Sequence, residues 1–148
     1  MKSPRLLVLI VGLLCAAACS GNDSNSSTNP VAPGNNATVT SLSSVDITVG
    51  TGAIANTGNR ITVSYTGFLY DPAQPETKGR PVDSNTAYPF TLGVGAVIKG
   101  WDQGVPGMRV GGLRRLTIPP SLGYGNQATG PIPANSTLVF DIRLISVG

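Results

Sequence analysis

Eight aromatic side chains hold most of the chemical potential of this 148-residue chain, and all of them lie after residue 64. Tyr65, Tyr88, Trp101, Tyr124 and Phe140 come from five separate segments. Rings gathered from separate segments make either an ordinary core or an apolar pocket with a few hydroxyls at its edge. What is missing narrows the chemistry. Histidine is absent, which removes the commonest general base, the usual zinc ligand and any Ser-His-Asp triad. Carboxylates are few and scattered, with nothing like a glycosidase pair or a calcium loop. Gly50-Thr51-Gly52-Ala53-Ile54-Ala55 superficially fits a dinucleotide fingerprint. No helical pattern follows it and Arg60 opens a new strand, so it reads as a turn. If this domain catalyses anything, it does so without a cofactor, a metal or proton transfer.

The elements that must position these rings are mostly strands. Val45, Ile47 and Val49 alternate with Asp46 and Thr48, the period of a half-buried strand. Ile61, Val63 and Tyr65 alternate with Thr62 and Ser64, and residues 60–70 read as one long strand. Residues 71–81 hold three prolines and Gly79 and read as a loop or a bulging insertion. Residues 88–92 form a short strand and residues 113–118 another. Residues 137–147 close the domain with Leu138, Phe140, Ile142 and Leu144 on one face. Only residues 97–104 suit a helix, of about two turns. Several antiparallel strands and one short helix predict an α+β domain over residues 45–148, with enough chain for one modest core.

The first residues read as a targeting segment. Lys2 and Arg5 precede an apolar run over residues 6–14, and Cys15-Ala16-Ala17-Ala18-Cys19 follows. Basic flank, apolar run and small-residue site are the parts of a secretory signal, here residues 1–18. The stretch is shorter than the roughly 20 residues a spanning helix needs. Ala16-Ala17-Ala18 suits ordinary signal cleavage and simple secretion. Ala17-Ala18-Cys19 also resembles a bacterial lipobox, although Ala16 stands where leucine is commoner. In that reading Cys19 is acylated and anchors the protein to a membrane, and Ser20 points to the outer one, facing the periplasm. Residues 19–44, rich in Ser, Asn, Thr, Gly and Pro, read as a flexible tether. Cleavage also removes Cys15 and two basic residues. That leaves eight basic against seven acidic side chains, with no disulfide in the domain and no electrostatic footprint for nucleic acid.

The company the aromatics keep goes further. Tyr65-Thr66-Gly67, Val82-Asp83-Ser84, Val97-Ile98-Lys99-Gly100-Trp101, Leu116-Thr117-Ile118-Pro119, Tyr124-Gly125 and Thr137-Leu138-Val139-Phe140-Asp141 occur in this order. From about Val45 to Val147 the sequence closely resembles the FKBP family of peptidyl-prolyl cis–trans isomerases, which bind macrolides such as rapamycin. The resemblance implies a twisted antiparallel sheet half-wrapped around a short helix. It implies that Tyr65, Tyr88, Trp101 and Phe140 wall and floor a pocket, and that Val97 and Ile98 line its rim, the Ile98 N–H donating to a ligand carbonyl. Tyr124 presents its hydroxyl, Asp83 a partly buried carboxylate, and Ile132 closes the far side. Val82 stands where many members have phenylalanine, making one wall smaller. The insertion at residues 71–81 is longer than in the smallest members, and the loop at residues 125–133 slightly shorter. Substrates would be prolyl-containing polypeptides of exported proteins. A non-catalytic chaperone or binding module for prolyl segments would use the same pocket. A monomer is expected, because the helical dimerisation region of some secreted relatives has no counterpart here. Asp102 and Arg109 read as fold-supporting or surface residues.

Overall fold

The structure, a computed structural model, describes residues 39–148; the signal segment over residues 1–18 and Cys19 lie outside the described residues. Five strands, β1 (Ser43–Thr48), β2 (Arg60–Tyr70), β3 (Lys78–Thr91), β4 (Leu113–Ile118) and β5 (Leu138–Val147), form one sheet ordered β1-β4-β5-β2-β3. All pairings are antiparallel. One helix, α1 (Lys99–Gly104), lies against it. The alternation in β5 works as its sequence predicts, with Leu138, Phe140, Ile142 and Leu144 all buried. Together with Ile61, Val63, Leu116, Ile118 and Trp101 they make the core between sheet and helix. Each fully buried aliphatic side chain of this kind contributes about 1.5–3 kcal/mol.

Two glycines set how close α1 comes to the sheet. A Cβ on Gly100 would stand 2.6 Å from Cγ2 of Ile118, and one on Gly104 would stand 2.7 Å from Cδ2 of Leu116. They are four residues apart and therefore share a helix face. That face rests directly on β4, and Trp101 is thereby held on the sheet with 4% of its surface exposed. The extended Ile98 precedes the first turn, and the Val105 N–H closes the last onto the Trp101 carbonyl. The helix is thus shorter than the sequence predicts, because Val97 and Ile98 stay outside it.

Arg114 locks helix, central sheet and edge strand together. Its Nε and Nη2 donate to both carboxylate oxygens of Asp46 at 2.6 and 3.1 Å. Its Nη1 donates to the carbonyls of Gly104 and Pro106 at 2.8 and 3.1 Å, serving the open end of α1. This pairing corrects the expectation for β1. Asp46 faces Arg114 on the helix side of the sheet, so Val45 and Ile47 turn outward and are 52% and 47% exposed; Val49, beyond the strand, is 71% exposed. The ion pair, rather than the apolar alternation, chooses the face. β1 also begins at Ser43, and Leu42 packs on the core, so the folded domain begins earlier than the expected residue 45.

A second correction concerns β3. The expected loop holds over residues 71–77, but residues 78–81 and the expected short strand over residues 88–92 belong to one 14-residue strand. Its prolines, Pro81 and Pro89, break the usual strand pattern but are tolerated because β3 lies at the sheet edge, where half its N–H groups face away from any partner. The register with β2 slips at three places, which bends the strand around the helix side. At its start, Lys78 Nζ meets Asp141 at 2.6 Å and Glu76 at 2.8 Å, while Arg115 grips Asp141 at 2.7 Å. Burial alone would raise the Asp141 carboxyl, but the bonds from Arg115 and Lys78 outweigh it and hold it below the ordinary carboxylate range.

Replacing Arg114 by leucine should lower stability by about 1–3 kcal/mol, because Asp46 and two helix-end carbonyls lose charged donors together. Urea denaturation would measure the loss; an unchanged midpoint would show that the helix end needs no such brace.

Candidate functional site

On the helix side of the sheet the chain leaves a cavity of about 530 Å³. Trp101 forms its base. The Tyr65 ring stands edge-on to the indole at 4.9 Å and 80°, and Phe140 does so at 5.3 Å and 87°. Tyr88 stands 6.0 Å from Tyr65, also nearly perpendicular. Crossed rings of this kind are a favoured packing for aromatic quadrupoles, about 0.5–1.5 kcal/mol per pair beyond area burial. They place aromatic rings on the cavity wall beside the polar groups of Asp83 and the tyrosines. The indole N–H of Trp101 is buried and donates to no acceptor among the described residues. An unmet donor of this sort costs about 1–3 kcal/mol, a cost that a residue placed only for stability would avoid.

Strand register explains how these rings meet. Gly67 is paired with Phe140 on one side and Asp83 on the other. A Cβ on Gly67 would stand 2.5 Å from the Phe140 ring, so the ring lies across the bare glycine backbone. Two residues earlier, on the same strand face, Tyr65 extends its hydroxyl to Asp83 Oδ2 at 2.7 Å. Desolvation raises the Tyr65 phenol far above its usual range, and the adjacent Asp83 carboxylate raises it further. Tyr124 is raised in the same direction by burial and by Asp83. Both hydroxyls therefore stay protonated donors at neutral pH.

The rim is built by the loop into α1. Asp102, on the helix beside Trp101, accepts the Gly93 N–H on Oδ1 at 2.8 Å and the Gly95 N–H on Oδ2 at 2.9 Å. Gly93 and Gly95 both have positive φ, 83° and 78°, which lets the loop double back over that carboxylate. The turn delivers Ala96, Val97 and Ile98 to the cavity wall. The Ile98 carbonyl is taken by α1, whereas its N–H finds no acceptor among the described residues. Arg109 instead reaches the Gly52 carbonyl at 3.2 Å, away from the cavity.

Of the residues singled out in the sequence, Tyr65, Asp83, Tyr88, Val97, Ile98, Trp101, Tyr124 and Phe140 line this one cavity. Val82 and Ile132 do not. Val82 falls at a register slip between the pairs Gly67–Asp83 and Phe68–Pro81 and packs against the core cluster. Ile132 is 5% exposed and belongs to the core, its loop pinned by paired bonds with Thr129 and by Arg80, which donates to the Pro131 carbonyl at 2.8 Å. Asp83 is exposed at the mouth rather than partly buried, because its edge strand has no neighbour beyond it. Two contributors were missed. Ala96 lines the rim, and Phe90, 5.6 Å from the indole, backs Trp101 from behind. The i, i+2 spacing of Tyr88 and Phe90 was the available signal for the second.

Comparison with known proteins gives a consistent family. Residues 52–145 match the model of the FKBP-type peptidyl-prolyl cis-trans isomerases. FK506-binding protein 1 of Aspergillus oryzae is 42% identical over 108 residues, covering 68% of this chain and 93% of that protein. FK506-binding protein 4 of Chaetomium thermophilum is 50% identical over 105 residues, covering 69% of this chain but 20% of its own length. The chain thus spans about a fifth of that fungal relative. The crystal structure of AtFKBP13 superposes with a TM-score of 0.63 at 37% identity, covering 72% of this chain and 93% of that one.

Because Phe140 lies on Gly67, a Gly67→Ala substitution should force the ring out of the wall at a cost of about 1–3 kcal/mol. Urea denaturation reads the stability loss. A change in the Trp101 fluorescence maximum at full folding reads the altered wall, and an unaltered spectrum and midpoint would contradict the tight contact.

Proposed function

This chain belongs to the FKBP-type peptidyl-prolyl cis-trans isomerase family, and we propose that its domain accelerates cis–trans exchange of Xaa-Pro bonds in polypeptides. The observation that carries the reading is the cavity itself: aromatic rings crossed around buried Trp101, with a free backbone N–H and phenol donors at its edge. Rotation about a prolyl bond faces a barrier of about 18–20 kcal/mol because twisting breaks amide resonance. The planar amide has a large dipole that water solvates well; the twisted one has a smaller dipole. An apolar site therefore disfavours the ground state more than the transition state. In this mechanism the proline ring sits on Trp101 between Tyr65 and Phe140. The Ile98 N–H and the Tyr124 hydroxyl hold the flanking carbonyls. No group gains or loses a proton, and the phenols, raised further above their usual range, keep theirs.

A protease-coupled assay on prolyl peptides with the purified protein tests this. Acceleration of about 10³–10⁵-fold requires only about 4–7 kcal/mol, and Trp101→Ala should remove most of it. Binding of prolyl peptides without acceleration would replace this reading with a non-catalytic chaperone or binding module. The same pocket suits macrolides such as FK506, the ligand for which several relatives are named, and rapamycin.

We further propose that the protein acts as a monomer in the cell envelope, exported by residues 1–18 and held by acylated Cys19 on the outer membrane. Support comes from Ala17-Ala18-Cys19-Ser20 behind the basic and apolar segments. Cys19→Ala should move the protein from the membrane to the soluble fraction on cell fractionation; unchanged partition would remove the anchor.

A further inference from the structure

Asp83 is the one carboxylate on the cavity wall, and no lysine or arginine lines that wall with it. Its hydrogen bond comes from a neutral phenol, Tyr65, which leaves the negative charge uncompensated. The nearby bases of the same strand are committed elsewhere. Arg80 donates to the Pro131 carbonyl, and Lys78 is held by Glu76 and Asp141. Among the described residues the carboxylates at positions 46, 76 and 141 meet basic partners, while Asp71 and Asp102 accept backbone N–H groups instead and lie off this wall. The rest of the wall is aromatic or aliphatic and offers no second charge to offset this one. A polypeptide entering the cavity therefore meets a fixed negative charge at the mouth, beside a low-dielectric floor that weakens screening on one side.

We propose that Asp83 is a specificity-determining residue that favours a basic side chain adjacent to the substrate proline and disfavours an acidic one. This rests on the prolyl-isomerase reading of the same cavity and names its preferred substrate class. Asp83 is exposed, so the effect is that of a rim charge: modest, and sensitive to salt. Attraction of lysine and repulsion of glutamate add, giving a preference of about three- to tenfold at low ionic strength.

The test compares kcat/KM for matched peptides with Lys, Gln or Glu immediately before or immediately after proline. At low salt, at least one of the two positions should show the order Lys, Gln, Glu, compressed in half-molar salt (a Debye length of about 4–5 Å). Asp83→Asn, which still accepts from Tyr65, should bring the ratio close to one, and Asp83→Lys should invert it. A Lys to Glu ratio within about twofold at both positions, or the same ratio in both variants, overturns the proposal. The Gln peptides separate the two ideas. Acceleration there without charge discrimination leaves the isomerase standing and removes this inference. No acceleration on any peptide removes the isomerase, and quenching of Trp101 fluorescence by the same peptides then decides whether the charge preference holds for binding.

Discussion

The contact of α1 with β4 through bare helix backbone is the constraint on which the remaining geometry depends. Gly100 and Gly104 bring the helix axis close enough for Trp101 to lie on the sheet between β2 and β5. Side chains at either position would lift the helix by the thickness of a methyl group and open a gap beneath the indole. The rings of Tyr65 and Phe140 would then have nothing to stand against. Tight packing of this kind transmits displacement instead of absorbing it, so cavity and core form one construction. Arg114 completes it by holding the other end of the helix, and Asp102 by hanging the rim loop from the helix surface.

Polar groups do two different jobs in this domain. On the outer face of the sheet, Asp141 collects Lys78 and Arg115, and its carboxyl is held low because both cations are satisfied at once. At the cavity the pattern reverses. Phenols face a carboxylate, are pushed upward and keep their protons. The first arrangement fixes a strand; the second keeps a set of donors constant across the neutral range.

Much of this was legible in the sequence, and unevenly so. The alternation Leu138, Phe140, Ile142, Leu144 located the core face of β5, although Val139 on the other face is buried as well. The same logic failed for Val45 and Ile47, since β1 is an edge strand whose orientation is set by Asp46 meeting Arg114, 68 residues away. Proline-rich residues 71–81 suggested a loop, and only the sheet order shows why Pro81 is admissible in a strand. The wall residues were found through their motif neighbours. Val82 and Ile132 pack in the same cluster as these rings, and spacing alone does not separate a lining residue from a supporting one. Asp102 could be read only as supporting. Its two bonds to the rim loop depend on positive φ at Gly93 and Gly95, which no periodicity reveals.

The edge strand β3 has one more consequence. It runs beside the cavity, and Pro81 and Pro89 interrupt its row of backbone donors while the register slips twist it. An extended polypeptide resting at the mouth therefore cannot zip itself onto the sheet as a sixth strand. The edge beside the cavity is thus shaped as a boundary of the sheet and not as a template on which further strands collect.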